Sequence, residues 1–488
     1  GYTDIFSTAF QGCSSLKSFV VAEGCLTIGN KAFSDCTSLE EVTLPSTFKT
    51  GNNNMFKNCT SLKKVYLNSK EAVNWQAGQT VTYKAFAGVD SVEIIASADS
   101  YFASSNDGII YSADYKQIEY VFDNPTAYVD GFYTMRSEVE SIVKRAFMGQ
   151  KMTGMALSEN LKEIGDYAFN SAAITELNVP ASLEVIGAFA FQSCKALTTL
   201  TFAENSNLTT IKRAAFYSCG ITEVNLPDSL ITIEDGKGTK EGAFSLNPIT
   251  KVTFGKNLEH IGNYSFCNDS VTKWTTTIRE VDLSNTKVKT IGKYAFKNAP
   301  LSKLELPECL ETIGDYAFYS GGYDEIEQQH NVTLEHINFP EGLTSIGKYA
   351  FMGWCYLREI NMPDTLVELG ESAFRICVSV EKIHISTSLT ELKSYAFGYL
   401  GWRYQQYNPN WETYTPITKI YIPANITKMD INIFNNSPSI EYVEIDPANP
   451  VFRSEAGIVY DNNNQLIYCP ANLGAMETFT IPSFIKTI

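Results

Sequence analysis

The sequence predicts a β-rich solenoid of stacked turns of about 22–23 residues, each turn contributing a short strand to a parallel sheet. Three observations predict it. A phenylalanine returns sixteen times in a near-identical phrase, at positions 10, 33, 56, 86, 147, 169, 191, 216, 244, 266, 296, 318, 351, 374, 397 and 434, and fourteen of the sixteen follow Ala or Ser. Most of the gaps are 22 or 23 residues, and the others read as that unit carrying an insertion. Between the phrases runs a short apolar–polar alternation closed by proline, clearest at Val42-Thr43-Leu44-Pro45.

Each element of a turn has a physical reason. The alternation around Val42 reads as a strand with one face buried. Pro45 ends it, because proline has no N–H to donate to a ladder. Strands of successive turns should pair in parallel, about 4.8 Å apart. The glycine ahead of each Ala-Phe phrase (Gly165, Gly187, Gly262, Gly292, Gly314, Gly347) suits a tight bend where a side chain would clash. The small residue before Phe lets backbones approach, and the ring fills the core. No single turn can bury that ring, so the rings should stack as an internal ladder, with Phe169, Phe191 and Phe296 fully buried.

Cys13, Cys36, Cys59, Cys194, Cys219 and Cys377 each sit three residues after a repeat Phe. A fixed repeat position predicts an inward-facing small hydrophobe. Eleven cysteines cannot all pair within one chain. A bridge between adjacent turns, such as Cys36 to Cys59, is conceivable in geometry but is not the favoured reading.

The pattern Leu-x-x-Ile-x-Leu-Pro, followed by Leu-x-x-Ile-Gly-x-x-Ala-Phe-x-x-Cys, resembles the BspA-like class of leucine-rich repeats, the Treponema pallidum type. Good copies run over residues 39–44, 343–351, 357–363 and 366–377. The resemblance covers nearly the whole chain. It implies a right-handed, curved leucine-rich-repeat solenoid. It also implies an exported, surface-attached bacterial protein that binds host matrix proteins, other cells or glycans and is not an enzyme.

Two stretches break the period and resemble each other. One carries Gly108-Ile109-Ile110-Tyr111, a polar turn and Gln117-Ile118-Glu119-Tyr120; the other carries Gly457-Ile458-Val459-Tyr460, three asparagines and Gln465-Leu466-Ile467-Tyr468. Each reads as a β-hairpin grafted onto a repeat. The expected layout is repeats over residues 1–86, a hairpin-bearing divergent unit over 87–146, repeats with insertions over 147–445 and a second hairpin-bearing unit over 446–488. Gly1 opens inside a repeat and Ile488 closes inside another, so the chain reads as a truncated array from a longer precursor.

The net charge of −16, from 54 acidic and 38 basic residues, argues against nucleic acid and anionic membranes as partners. No apolar run is long enough to span a bilayer. Only four histidines occur, and His330 and His336 share one insertion with several carboxylates, where an exposed polar loop is the favoured reading over a metal site. Gly236-Lys237-Gly238-Thr239-Lys240 lacks phosphate-loop spacing. Neither C-x-x-C nor G-x-S-x-G occurs. The chain is therefore expected to be a non-enzymatic monomer that takes no cofactor or metal.

The insertions are the more useful signal. Those after Phe266, Phe318 and Phe397 share one repeat position, which places them on one edge of the array. They carry Trp274, then Tyr323, then Tyr399, Trp402, Tyr404, Tyr407, Trp411 and Tyr414. Rigid aromatics among Asn and Gln suit a binding surface for protein or for sugar rings. These eight residues are the candidate ligand-binding set, with a host or bacterial surface protein, or a glycan, as partner. Trp75 is read as lying in an insertion of different phase, on another edge.

Overall fold

The computed structural model describes residues 2–77, 84–238, 241–267, 278–321, 332–401, 415–470 and 483–485. It is a parallel-sheet β-solenoid of about 17 turns. Among the described residues there is no helix, hence none long and apolar enough to cross a membrane. The chain forms two compact units, one of residues 1–208 with 218–220, the other of 209–217 with 221–488.

In the first unit the expected strands pair in parallel: Ser18–Val20, Glu41–Leu44, Lys64–Leu67 and Glu93–Ala96, with Val42, Val65 and Ile94 in register. Pro45 follows the second of them directly. A further ladder runs through the Leu-x-x-Ile segment, which the sequence reading had not assigned to strand. Asp4–Ile5, Thr27–Ile28, Thr50–Asn52 and Asn74–Ala77 pair in parallel. Another run joins Ser141–Ile142, Glu163–Ile164 and Val185–Ile186. The inserted segment forms an antiparallel hairpin of Ile109–Tyr111 with Gln117–Val121, and the latter strand continues in parallel onto Ser141–Ile142. A second hairpin, Tyr128–Val129 with Phe132–Thr134, joins Gly154–Ala156.

The second unit repeats the plan. Thr-Ile pairs or their equivalents stack at 210–211, 232–233, 260–261, 290–291, 312–313, 345–346 and 368–369. Lys419–Ile422 pairs with Tyr442–Ile445. Phe452–Glu455, Ile458–Asp461 and Leu466–Tyr468 form an antiparallel three-stranded meander near the C-terminal end.

The Phe ladder is the spine of each unit. Fifteen of the sixteen rings are buried and Phe10 is half-buried, while Phe169, Phe191 and Phe296 are 0 %, 0 % and 1 % exposed. Neighbouring rings stack nearly parallel, 5.0 Å apart at Phe169–Phe191 and 5.3 Å at Phe266–Phe296. The backbone around each ring follows one rule. Phe296 N–H reaches Ala317 O in the next turn (2.8 Å), whereas Ala295 N–H bends back to Gly292 O (3.3 Å). The residues two before and two after the ring also bond forward, and this zigzag holds them in the left-handed region: Tyr294 and Asn298 have φ of 59° and 63°.

The glycines ahead of the phrase have a different reason from the one expected. Gly187 has no positive φ; instead a Cβ there would lie 2.6 Å from the Gly165 carbonyl carbon of the turn before. Close approach of two backbones, rather than a bend, excludes the side chain.

The cysteines also do more than fill space. All eleven are free thiols. Cys36, Cys59, Cys194 and Cys219 are buried, and each Sγ donates to the carbonyl of the previous repeat Phe at 3.0–3.1 Å. At the same position Asn247 Nδ2 reaches Phe216 O at 2.7 Å, Trp354 Nε1 reaches Phe318 O at 2.8 Å and Ser437 Oγ reaches Phe397 O at 3.2 Å. The position thus supplies a donor to a buried carbonyl that would otherwise lose hydrogen bonding. Burial pushes the Cys59 and Cys194 thiols up to about 12, which keeps them protonated donors and unreactive. Cys13 is exposed, so the inward-facing reading does not hold for it.

Trp75 corrects the expectation most plainly. It is 3 % exposed, in the strand Asn74–Ala77, with its ring within 6.2 Å of Phe48, Phe86, Phe102 and Tyr120. It belongs to the repeat core and not to an outer edge.

Candidate functional site

The residue two before the repeat Phe points out of the core. In the second unit this position is Tyr in four successive turns: Tyr264, Tyr294, Tyr316 and Tyr349. All four have φ between 56° and 61°, a region costly for a bulky residue without support. The support is visible. Each N–H bonds a carbonyl of the next turn at 2.8–3.0 Å, and each ring stacks on the next with centroids 4.7 Å apart. The rings are half-buried. Burial and the neighbouring phenols push the Tyr316 hydroxyl up to about 12, so it stays neutral and able to donate.

Beside this stack lies a hydrophobic cluster distinct from the main core. Met352, Cys355, Ile376, Val378 and Tyr399 are its buried members, with Tyr319, Tyr349 and Tyr356 packed on it half-buried. The turn geometry explains it: Tyr319 and Met352 follow the repeat Phe by one residue, Ile376 and Tyr399 by two, and both positions face away from the core.

Cations cover the ring faces that remain. Lys297 Nζ lies 5.6 Å from the Tyr294 ring and 5.4 Å from that of Tyr319. Arg375 bridges Tyr395 and Tyr399, with its guanidinium carbon 5.0 and 5.1 Å from their centroids. Ion pairs flank the stack, Lys293–Asp315 at 2.8 Å and Lys348–Glu371 at 2.7 Å. At this face four buried polar atoms have no protein partner among the described residues: the Asn298 amide oxygen and nitrogen, Ser372 Oγ and Arg375 Nε. A surface with stacked aromatics, cation-capped rings and unused hydrogen-bonding atoms is equipped for association.

Of the eight residues singled out from sequence, Tyr399 lies in this cluster, 8 % exposed and left-handed at φ 68°. Trp274, Tyr323, Trp402, Tyr404, Tyr407, Trp411 and Tyr414 lie outside the described residues. The described ends of two insertions, Gly321 and Gly401, follow Tyr319 and Tyr399 by two residues, so the cluster sits at the roots of those insertions. Sequence reasoning missed Tyr294, Tyr316, Tyr349 and Tyr356; the recurrence of Gly-x-Tyr-Ala-Phe was the signal available. Among the described residues no three His, Cys, Asp or Glu side chains converge as metal ligands.

The family model for the BspA type leucine rich repeat region (6 copies) matches residues 1–106, 119–237, 238–333 and 324–456. Curated proteins give no match. The crystal structure of the pneumococcal vaccine antigen PcpA is similar over 74 % of this chain and 87 % of its own, at 21 % identity and a TM-score of 0.42. A leucine-rich repeat protein from Bacteroides ovatus is similar over 87 % of this chain and 83 % of its own, at 18 % identity and a TM-score of 0.42. The leucine-rich repeat protein of T. pallidum is similar over 43 % of this chain and 65 % of its own, at 18 % identity and a TM-score of 0.15.

Proposed function

Because the chain belongs to the BspA-type leucine-rich repeat family, we propose that it is a non-enzymatic, cell-surface or secreted protein that binds a macromolecular partner. It docks through the aromatic face of the second unit and the insertions rooted there. The partner is a host, matrix or neighbouring-cell protein. The observation that carries this reading is the second hydrophobic cluster, separate from the core, on which Tyr319, Tyr349 and Tyr356 pack half-buried and in which Arg375 lies against Tyr399. Tyr and Arg are the side chains that most often anchor interfaces.

One feature of the stack favours protein over sugar as the ligand. The four Tyr rings face each other at 4.7 Å, so within the stack they present edges rather than open faces. A sugar ring needs an open aromatic face, which leaves glycan capture to Trp402 and Trp411 in the insertion.

The test is an array of matrix proteins and glycans, probed with the intact chain and two variants, Tyr319→Ala/Tyr356→Ala and Trp402→Ala/Trp411→Ala. The reading expects a protein hit weakened about tenfold or more by the tyrosine variant. A glycan hit lost only in the tryptophan variant would replace it with glycan capture. No hit at all from folded protein would leave a spacer role.

A further inference from the structure

The first unit contains an interruption that the repeat pattern does not require. The ladder of short strands runs from Asp4–Ile5 to Asn74–Ala77, and a separate ladder begins at the hairpin strand Gln117–Val121 and runs on through Ser141–Ile142. Among the described residues no strand pairing joins Asn74–Ala77 to Gln117–Val121. At this break lies a cavity of about 330 Å³ lined by Val73, Trp75, Glu119, Val143, Lys144 and Arg145 together with Asn74. That volume falls within the range of small-molecule sites.

Three polar side chains in the wall are buried and incompletely partnered. Trp75 is 3 % exposed, Glu119 4 % and Arg145 7 %. Trp75 Nε1, Glu119 Oε1 and Arg145 Nε each lack a hydrogen-bond partner. Buried polar groups elsewhere in the unit can find partners, as the Cys36, Cys59 and Cys194 thiols do. Here three such groups belong to residues that line one cavity, and each costs free energy while unmet.

The groups specify what would fill the void. Two are donors, the indole and guanidinium N–H groups, and one is a carboxylate acceptor. Val73 and Val143 supply apolar wall. A ligand must accept twice and donate once within a small volume while presenting carbon to the valines. Adjacent hydroxyl groups on a saturated ring do this, since every hydroxyl both donates and accepts.

We propose that the cavity between Trp75, Glu119 and Arg145 is a binding site for a small polyhydroxylated ligand of monosaccharide size. Glu119 accepts from one ligand hydroxyl, while Trp75 and Arg145 donate to its neighbours. Burial raises the Glu119 carboxyl to about 7, against the lowering effect of the Tyr101 hydroxyl. Lys144 and Arg145 are the cations in the same wall. The ionised carboxylate is the better acceptor, so ligand binding strengthens as pH rises from about 6 to about 8.

The site is separate from the face proposed for partner docking, and its test is kept separate. The intact chain is titrated calorimetrically with glucose, galactose, mannose, fucose, N-acetylglucosamine and myo-inositol, and with alanine and serine as zwitterionic controls. The expected result is binding of at least one polyol, weakened about tenfold in Glu119→Gln and in Trp75→Phe. The same polyol should bind unchanged to Trp402→Ala/Trp411→Ala, which separates this site from capture by the insertion. Glu119→Gln keeps the shape and removes a buried acid, so near-ultraviolet circular dichroism should confirm its fold even if Trp75→Phe fails to pack. Three results would overturn the proposal: no heat with any polyol, binding indifferent to Glu119→Gln, or binding of the amino acids alone.

Discussion

Two aromatic stacks run through the same four turns of the second unit, two residues apart in sequence. Phe266, Phe296, Phe318 and Phe351 stack at 5.3–5.4 Å and are at most 2 % exposed. Tyr264, Tyr294, Tyr316 and Tyr349 stack more closely, at 4.7 Å, yet remain half-buried. The rise of the turns keeps both spacings near the separation of neighbouring strands, so spacing separates them only slightly. Their surroundings separate them. The phenylalanines are buried in the core, and removing one leaves a void that rigid turns cannot close. The tyrosines meet each other, cations such as Lys297 and Lys348, and at Tyr349 the Glu371 carboxylate, and they keep part of their surface exposed. The inner stack holds the turns together, and the outer stack is the one we propose for partner docking.

The largest effect expected is on the inner stack. Phe296→Ala should lower unfolding free energy by about 3–5 kcal/mol in urea titration. A loss comparable to that of an outer tyrosine would break the comparison.

Glu119 probes the same low-polarity interior in the first unit. Its folded carboxyl sits at about 7 against an ordinary 4.5. The raised value means folding is favoured at low pH and is penalised increasingly as pH climbs through about 4.5 to 7. Above that window the penalty is about 3 kcal/mol. Glu119→Gln should therefore match the parent near pH 5 and exceed it near pH 8, as read by thermal melts across pH.

Trp354→Phe sharpens the donor role of the position three after the repeat Phe. Trp354 is wholly buried and its indole N–H holds Phe318 O at 2.8 Å. Losing that donor should cost about 2 kcal/mol. The smallest effect belongs to the outer stack, where Tyr316→Ala should cost about 1 kcal/mol, from lost stacking and partial burial.

These contrasts also explain what could be read from sequence. Phe169, Phe191 and Phe296 were legible because one residue type occupies one position in nearly every turn. Pro45 was legible because its chemistry admits one place in a ladder. The Thr-Ile ladder was not, since a two-residue strand such as Thr290–Ile291 is too short to show alternation. Position three after Phe looked apolar because cysteine dominates it, although Asn247, Trp354 and Ser437 share its hydrogen bond. Trp75 was misplaced because the longer spacing to Phe86 hid its phase. At the candidate site only Tyr399 was anticipated among the described residues. The outer tyrosines were hidden because that position varies along the chain, reading Lys31, Arg145 and Ala214 in other turns.

The central claim, that the outer aromatic face is built for recognition rather than for stability, has a direct measurement. Tyr319→Ala/Tyr349→Ala would be compared with the parent for urea unfolding and for surface-plasmon binding to the partner found on the array. The account predicts unfolding within about 2 kcal/mol of the parent and binding weakened about tenfold or more. Unchanged binding by a folded variant, or collapse of the fold with no selective loss of binding, would contradict it.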